Sequence, residues 1–422
     1  MFFKRKKKNK PAIIKVKSSE LRRVPVSELY PGMYIAELDI PWEQSSFLFQ
    51  GFKLQNWDDV DSVAKQCKEV VVDFQQTQRI NIQRKGFDND ESNFYKGRAN
   101  STKTELDNAT NVFGQTTSLV KNIMDDIRLG NVIDTVQTKD AISETVDSIM
   151  RSPDAMMMLT RIRDETDQLT AQHSMNAAVL SIAFGKALGL ERKKLEELGI
   201  SALLHDMGKV LTPNEILTKP GMLTEEEFDI VKKHTRDGRD ILASNGNLPP
   251  GAIDVAYSHH EAIDGSGYPR GLYGHQTTLW TKIISITDAY DDITNDNAYS
   301  LGQSNIHAFK ILNSEGKKQF DSFLVTRFIS VIGIYPPGSI VTLNSGEAGV
   351  VIETNPGHAL APVVAIMRNT EGEPIDIKIV DLSQKPEIPA GGINYKVQNI
   401  LRPDESDIQI ATLREKGLLL GA

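Results

Sequence analysis

His205-Asp206-Met207-Gly208-Lys209 and, further on, His259-His260-Glu261-Ala-Ile-Asp-Gly-Ser-Gly-Tyr-Pro-Arg-Gly-Leu272 decide how this chain is read. Three more pieces belong with them: His173 in Gln172-His173-Ser174-Met175, His234 in Val231-Lys-Lys-His234-Thr-Arg-Asp-Gly238, and Asp288 in Ile284-Ser-Ile-Thr-Asp288-Ala-Tyr-Asp291. The chain has eight histidines, none before residue 173 and six between 173 and 275. Imidazoles placed for solubility would be spread over both ends.

Each piece sits in a helical pattern. Residues 165–189 place His173, Ala177, Leu180 and Phe184 at spacings of three and four. Residues 195–206 form a second helix that ends in His205 and Asp206. Thr224-Glu-Glu-Glu227 is a capping box, and the helix it opens puts Phe228, Val231, His234, Gly238 and Ile241 on one stripe. Gly238, one turn after His234, leaves room for a close approach. Residues 252–260 end at the paired histidines, and residues 284–294 carry Asp288 and Asp291 one turn apart. The region is therefore expected to be all-helical.

Taken singly these residues mean little. A lone histidine on an apolar face is usually a hydrogen-bonded core residue, and His-Asp pairs are common by chance. Five histidines and two aspartates on helices converging on one bundle interior are different. Buried without a cation, each would need its own partner. Imidazole and carboxylate without thiolate suit Fe, Mn or Zn better than Ca or Mg. Seven ligands exceed the needs of one ion, so two divalent metal ions, Fe or Mn foremost, are expected to share a bridge. Such pairs, roughly 3.5–4 Å apart, serve phosphoester hydrolysis by generating hydroxide and neutralising phosphoryl oxygens. Lys209, one turn from His205 and Asp206, reads as a group for the transition-state charge or the leaving oxygen; its bland reading is a solvated lysine. In Gly265–Gly271 the glycines and proline fix a loop. Tyr268 there can stack on a base, and Arg270 can hold a phosphate.

The 422 residues suffice for two or three domains, and 40% hydrophobic with 25% charged residues is ordinary globular composition. A net charge of −8 argues against a duplex nucleic-acid binder. Cys67, the only cysteine, excludes an intrachain disulfide and a cysteine-based zinc cluster, and fits a reducing cytoplasm. No run approaches the roughly 20 apolar residues of a membrane span, and the basic start lacks a signal peptide's apolar core.

The expected organisation is multi-domain α+β. Residues 1–20 form a basic tail, and residues 21–80 a small α/β domain. Within that domain, residues 24–38 read as strand, Pro-Gly turn and strand; residues 47–54 as a strand pair broken at Gly51; residues 56–70 as a helix with Cys67 in the core; and residues 70–74 as a buried strand. Residues 81–136 are linker and connecting helix, with the polar, aperiodic stretch running from 75 to 104. Residues 137–335 form the helical catalytic domain, with Met156–Met158 as core filler. Residues 336–422 form a β-rich extension ending in a helical pattern from Pro403. No cluster of titratable residues appears there, so its role is structural or regulatory.

The order His-Asp-Met-Gly-Lys, Lys219-Pro-Gly-Met-Leu-Thr224-Glu-Glu, His-Thr-Arg-Asp-Gly, His-His-Glu-x-x-Asp-Gly-Ser-Gly-Tyr-Pro-Arg-Gly-Leu and Thr-Asp-Ala-Tyr-Asp resembles the bacterial HD-GYP family over residues 140–335. Residues 21–74 resemble the small N-terminal domain often fused to it. The resemblance implies an HD-type helical bundle that hydrolyses cyclic di-GMP to linear pGpG, with a further cut to GMP left open, by attack of a metal-bridging hydroxide. It implies His173, His205, Asp206, His234, His259, His260 and Asp288 as metal ligands, with Asp206 bridging. Lys209 and Asp206 would be catalytic, and Gly267, Tyr268, Pro269, Arg270 and Asp291 would face the substrate.

Two departures bear on that reading. Where some members carry a third-site glutamate, Gln168 and Leu169 stand, with Glu165 two turns away, so two ions are expected. Where the family has basic residues beyond Asp288, Asn297 and Ser300 stand. Hydrolysis of hybrid cyclic GMP-AMP, or sensing of the nucleotide without turnover through a protein partner, therefore stay open beside the cyclic di-GMP reading. So does a homodimer.

Overall fold

A computed structural model describes residues 21–26, 29, 33–40, 51–54, 63, 66–73, 98–162, 169–295, 302–314, 318–355, 358, 360–384, 395–402 and 405–408. The basic tail, most of the helix expected over 56–70, Gln168, Glu165, Asn297, Ser300 and the pattern from Pro403 fall largely or wholly outside them. The chain divides into two units, residues 1–93 and 94–422.

The first unit is a four-stranded antiparallel sheet of β1 (Leu21–Pro25), β2 (Tyr34–Leu38), β3 (Phe52–Lys53) and β4 (Glu69–Asp73), in the order β1-β4-β2-β3. The strands read on either side of Pro31-Gly32 are both present. They are not neighbours, because β4 inserts between them. Val70 and Val72 of β4 turn inward at period two and pack with Val24, Ile35, Leu54 and Val63. Cys67 is buried in that core, and burial together with Asp39 pushes its thiol up to about 11. It is a packing residue.

The second unit is mainly helical: α1 (Arg98–Arg128), α2 (Thr135–Arg151), α3 (Pro153–Leu159), α4 (Leu169–Ala187), α5 (Arg192–Leu203), a 3-10 turn (Met207–Leu211), α6 (Asn214–Leu217), α7 (Glu225–Lys232), α8 (His234–Ser244), α9 (Pro250–Ser258), α10 (Leu279–Thr294), α11 (Asn305–Ser314) and α12 (Ser322–Ile332). Helix α1 begins inside the stretch read as linker, so residues 98–104 are helical. Asp134 caps α2 by accepting from the backbone of Val136 and Gln137, and Thr224 and Glu227 complete the capping box of α7.

Helix α4 is the spine. Its sequence suggests one apolar stripe, yet Ser174 through Gly185 are all buried. A helix dry on every side lies at the centre of a bundle, and α4 packs against α1, α5 and α10. Phe184 on it meets Phe328 of α12 edge to face, at 5.4 Å and 70°. Met156, Met157 and Met158 of α3 are buried as expected.

Strands β5 (Ile340–Leu343), β6 (Ala348–Glu353), β7 (Val363–Arg368), β8 (Pro374–Asp381) and β9 (Val397–Leu401) make an antiparallel sheet in the order β8-β7-β6-β5-β9. It packs on α3 through β6 and is tied there by Thr354, whose hydroxyl donates to Asp154 at 3.1 Å. Asn305 of α11 donates to Ser339 at 2.9 Å, just before β5.

Phe184 is fully buried, so Phe184→Ala is expected to destabilise the helical unit by about 3–5 kcal/mol. A lowered thermal midpoint in the far-UV helical signal would show it; an unchanged midpoint would mean that α4 is not the spine.

Candidate metal centre and substrate loop

Six pieces of the chain deliver the polar residues to one interior. Helix α4 brings His173, the turn after α5 brings His205 and Asp206, and the 3-10 turn brings Lys209. Helix α8 opens with His234, α9 runs out at His259 and His260, and α10 carries Asp288. His205 and Asp206 lie just past α5 rather than in it, which frees both side chains to turn inward. The stripe read from Phe228 to Ile241 is likewise broken between α7 and α8 at Lys233.

The close approach expected at Gly238 is made by Gly208. A Cβ on Gly208 would run into the backbone of His234 and Gly238, so the Met-Gly-Lys turn seats directly on the first turn of α8.

The ligand-type atoms form two groups. His173, His205, Asp206 and Asp288 are one; His234, His259 and His260 are the other; within each, the atoms lie within 4.8 Å of one another. Asp206 stands between them. Its Oδ2 is 3.6 Å from His173 Nε2 and 3.4 Å from His205 Nε2, while its Oδ1 is 3.4 Å from His234 Nε2 and 3.5 Å from His259 Nε2.

The tautomers follow from the backbone. His205, His234 and His259 place Nδ1 2.6, 2.6 and 3.0 Å from the carbonyls of Ala202, Val231 and Val255. A carbonyl only accepts, so each Nδ1 carries a proton and each ring turns its Nε2 inward, the atom left to meet a cation. The Nε2 atoms of His234 and His259 face each other at 3.2 Å. His205 Nε2 and Asp206 Oδ1 are buried with no hydrogen-bond partner. Lone pairs converging in a dry interior fit divalent cations, with the Nδ1 tethers as the outer support such ligands require.

Electrostatics agrees. Burial alone would raise the Asp206 carboxyl, but Lys209 and His205 hold it well below the usual range. Asp288 is held low against its burial, first of all by the hydrogen bond from His173. Burial lowers His234 to about 3, so its ring stays neutral. Lys209 Nζ lies 2.5 Å from Asp206 Oδ2, and Asp206, Asp292 and Asp288 keep that ammonium charged despite its burial.

The loop expected to face substrate folds back on the second group. Tyr268 stacks on His260 at 4.8 Å and 28°, and its backbone N–H donates to the His260 carbonyl at 3.1 Å. A Cβ on Gly267 would collide with the backbone of His260 and Ala262, so that closeness needs glycine.

Two of the residues expected to face substrate make contacts of their own. Arg270 does not reach toward the ligand groups: its guanidinium donates to Ser258 and to Asp254 (3.3 Å) and lies over Tyr257 at 4.7 Å, so it braces the loop on α9. Asp291 is buried behind His173, its Oδ2 2.8 Å from His173 Nδ1, and Asn295 donates to its Oδ1 at 2.6 Å. That contact turns His173 Nε2 toward Asp288, 3.0 Å away. Asp291 thus orients a ligand-type histidine.

Two residues were missed. Buried Glu261 accepts from the backbone N–H groups of Arg270 and Leu272, both at 2.8 Å, and straps the loop; its place directly after the histidine pair was the available signal. Asp292, half exposed one turn beyond Asp288, comes within 3.8 Å of His173 Nδ1.

A family model described as HD domain matches residues 156–324, one described as a domain of unknown function (DUF3391) matches 21–138, and one described as KOW domain associated with HD domain matches 340–388. The chain is 32% identical to cyclic di-GMP phosphodiesterase PA4108 of Pseudomonas aeruginosa, over 86% of this chain and 89% of that protein. It is 36% identical to 3'3'-cGAMP-specific phosphodiesterase 1 of Vibrio cholerae, over 38% of this chain and 37% of that protein. Among solved structures, Bd1817, a HDG"Y"P protein from Bdellovibrio bacteriovorus, aligns at 20% identity and a TM-score of 0.47, covering 74% of this chain and 99% of that one. The HD-domain match makes this protein an HD-type phosphohydrolase with His/Asp clusters able to hold metal. The chain belongs to the HD-GYP family of cyclic dinucleotide phosphodiesterases. Among the described residues no helix is long and apolar enough to cross a membrane.

Metal affinity is expected to rise with pH. Burial would lower His173, but Asp292, Asp288 and Asp291 raise it well above its ordinary value, so the ion-free site holds a proton there that a cation must displace. Calorimetric Mn(II) titrations in buffers of different ionisation enthalpy should show proton release and weaker binding on acidification. Binding that ignores pH would contradict this charge assignment.

Proposed function

We propose that this enzyme hydrolyses cyclic di-GMP to linear pGpG with two divalent ions, iron or manganese. The observation that carries the reading is Asp206, which presents one oxygen to each ligand-type group while Lys209 pairs with it. His173, His205 and Asp288 would hold one ion, His234, His259 and His260 the other, and Asp206 both; a nitrogen–oxygen donor set without thiolate suits these metals. Such ions, when bound, supply Lewis acidity toward phosphoryl oxygens and acidify water for attack at phosphorus.

The chain's own residues do the rest. The Lys209 ammonium, held charged beside Asp206, lies where negative charge builds on the phosphoryl group. Asp291 fixes the ring of His173, and Glu261 and Arg270 keep the Tyr268 loop against the second group. The full-length similarity to the Pseudomonas enzyme supports cyclic di-GMP as substrate, and a reaction on that nucleotide belongs in the cytoplasm.

A second reading is hydrolysis of hybrid cyclic GMP-AMP, favoured by the similarity to the Vibrio protein. Parallel rates on the two nucleotides separate the readings. A pure sensor would have no need of a charged lysine on the bridging carboxylate.

Protein loaded anaerobically with Fe(II) or Mn(II) is expected to convert cyclic di-GMP to pGpG, and a His205→Ala, Asp206→Ala double variant is expected to be inert. Intact nucleotide in every metal would end the cyclic di-GMP reading. Lys209→Met should keep bound metal but lose roughly 10²–10³ in kcat. Metal retention with undiminished kcat would remove Lys209 from the mechanism.

A further inference from the structure

The sequence reads Phe228 as part of an inward stripe, but none of the residues of α7 is fully buried, and Phe228 is 45% exposed. Its ring meets Tyr268 edge to face at 6.1 Å and 84°, and Tyr268 in turn stacks on His260 at 4.8 Å. Three rings therefore run outward from the second ligand group to solvent. One face of Tyr268 is taken by His260, which leaves Phe228 as the ring of this series that is open at the mouth. Lys232 Nζ stands 5.0 Å from the Phe228 centroid, in an ion pair with Asp229, and brings positive charge to the same spot.

The helix that carries this ring is well held. Its capping box fixes the first turn, and the Lys219 ammonium grips both Glu227 oxygens at 2.8 and 2.6 Å. A rigid, half-exposed aromatic beside an ammonium, leading out from a site for phosphodiesters, matches a nucleobase with its flanking phosphate: bases stack on aromatic faces, and cations meet the phosphate.

We propose that Phe228, backed by Tyr268, is the platform on which one purine of the substrate rests while its phosphodiester lies over the ligand groups, with Lys232 beside it as a phosphate-facing cation. The assignment rests on the cyclic dinucleotide reading above and adds the residue that grips the base.

The test uses full-length, Mn(II)-loaded protein and compares GMP with ribose 5-phosphate, which differ by the base, alongside cyclic di-GMP. Phe228→Ala should weaken GMP and cyclic di-GMP on the order of tenfold, as loss of one stacked base does, and leave ribose 5-phosphate unchanged. Phe228→Leu, which keeps apolar bulk against Tyr268 without a π face, should behave like alanine. Phe228→Trp should restore affinity.

Equal losses on GMP and ribose 5-phosphate, full rescue by leucine, or no loss at all would each overturn the platform. So would wild-type protein that binds GMP no more tightly than ribose 5-phosphate. If nucleotides bind through Phe228 yet cyclic di-GMP is not cleaved, the platform stands and the hydrolytic reading falls.

Discussion

A carboxylate buried with both oxygens away from water must be matched by positive charge, and Asp206 sets that demand for the whole helical unit. An unpaired buried charge costs several kcal/mol. Lys209 meets part of the demand from one side. The remainder falls on a ring of imidazoles whose Nδ1 protons are already given to backbone carbonyls, so that Nε2 is the atom each turns toward the carboxylate. A dry interior of this kind suits added cations, and its geometry is set by the helices together with the carbonyls and acids that tether the rings.

That demand explains otherwise puzzling choices in the scaffold. Helix α4 is dry over Ser174–Gly185 because it carries His173 into the interior while packing neighbours on every side. Gly208 lets the turn bearing Lys209 touch the helix bearing His234, a contact that a Cβ at that position would not permit. Asp291 and Glu261, both buried acids, act on a ligand-type ring and on the loop; without those partners neither could be buried cheaply.

Around this centre the second unit grades from dry to wet. The loop at Tyr268 lies against the ligand groups, α7 lies at the rim with no buried residue, and a strand sheet packs on α3 away from them. The N-terminal sheet unit has a core of its own, closed by Cys67 and the β4 valines.

The sequence alone determined the all-helical core, the strand-rich flanks and the seven ligand-type residues, because periodicity reports which face of a helix is buried and residue type reports what an ion accepts. Tertiary structure alone decided the rest. Arg270 and Asp291 each meet a neighbour brought close by folding: α9 for Arg270, His173 for Asp291. Phe228 fits an inward stripe until the chain breaks at Lys233 and turns it out to the rim. The partition of the seven ligand-type residues into two groups with one carboxylate between them is likewise invisible in spacing. It depends on distances between elements far apart in the chain, which only packing fixes.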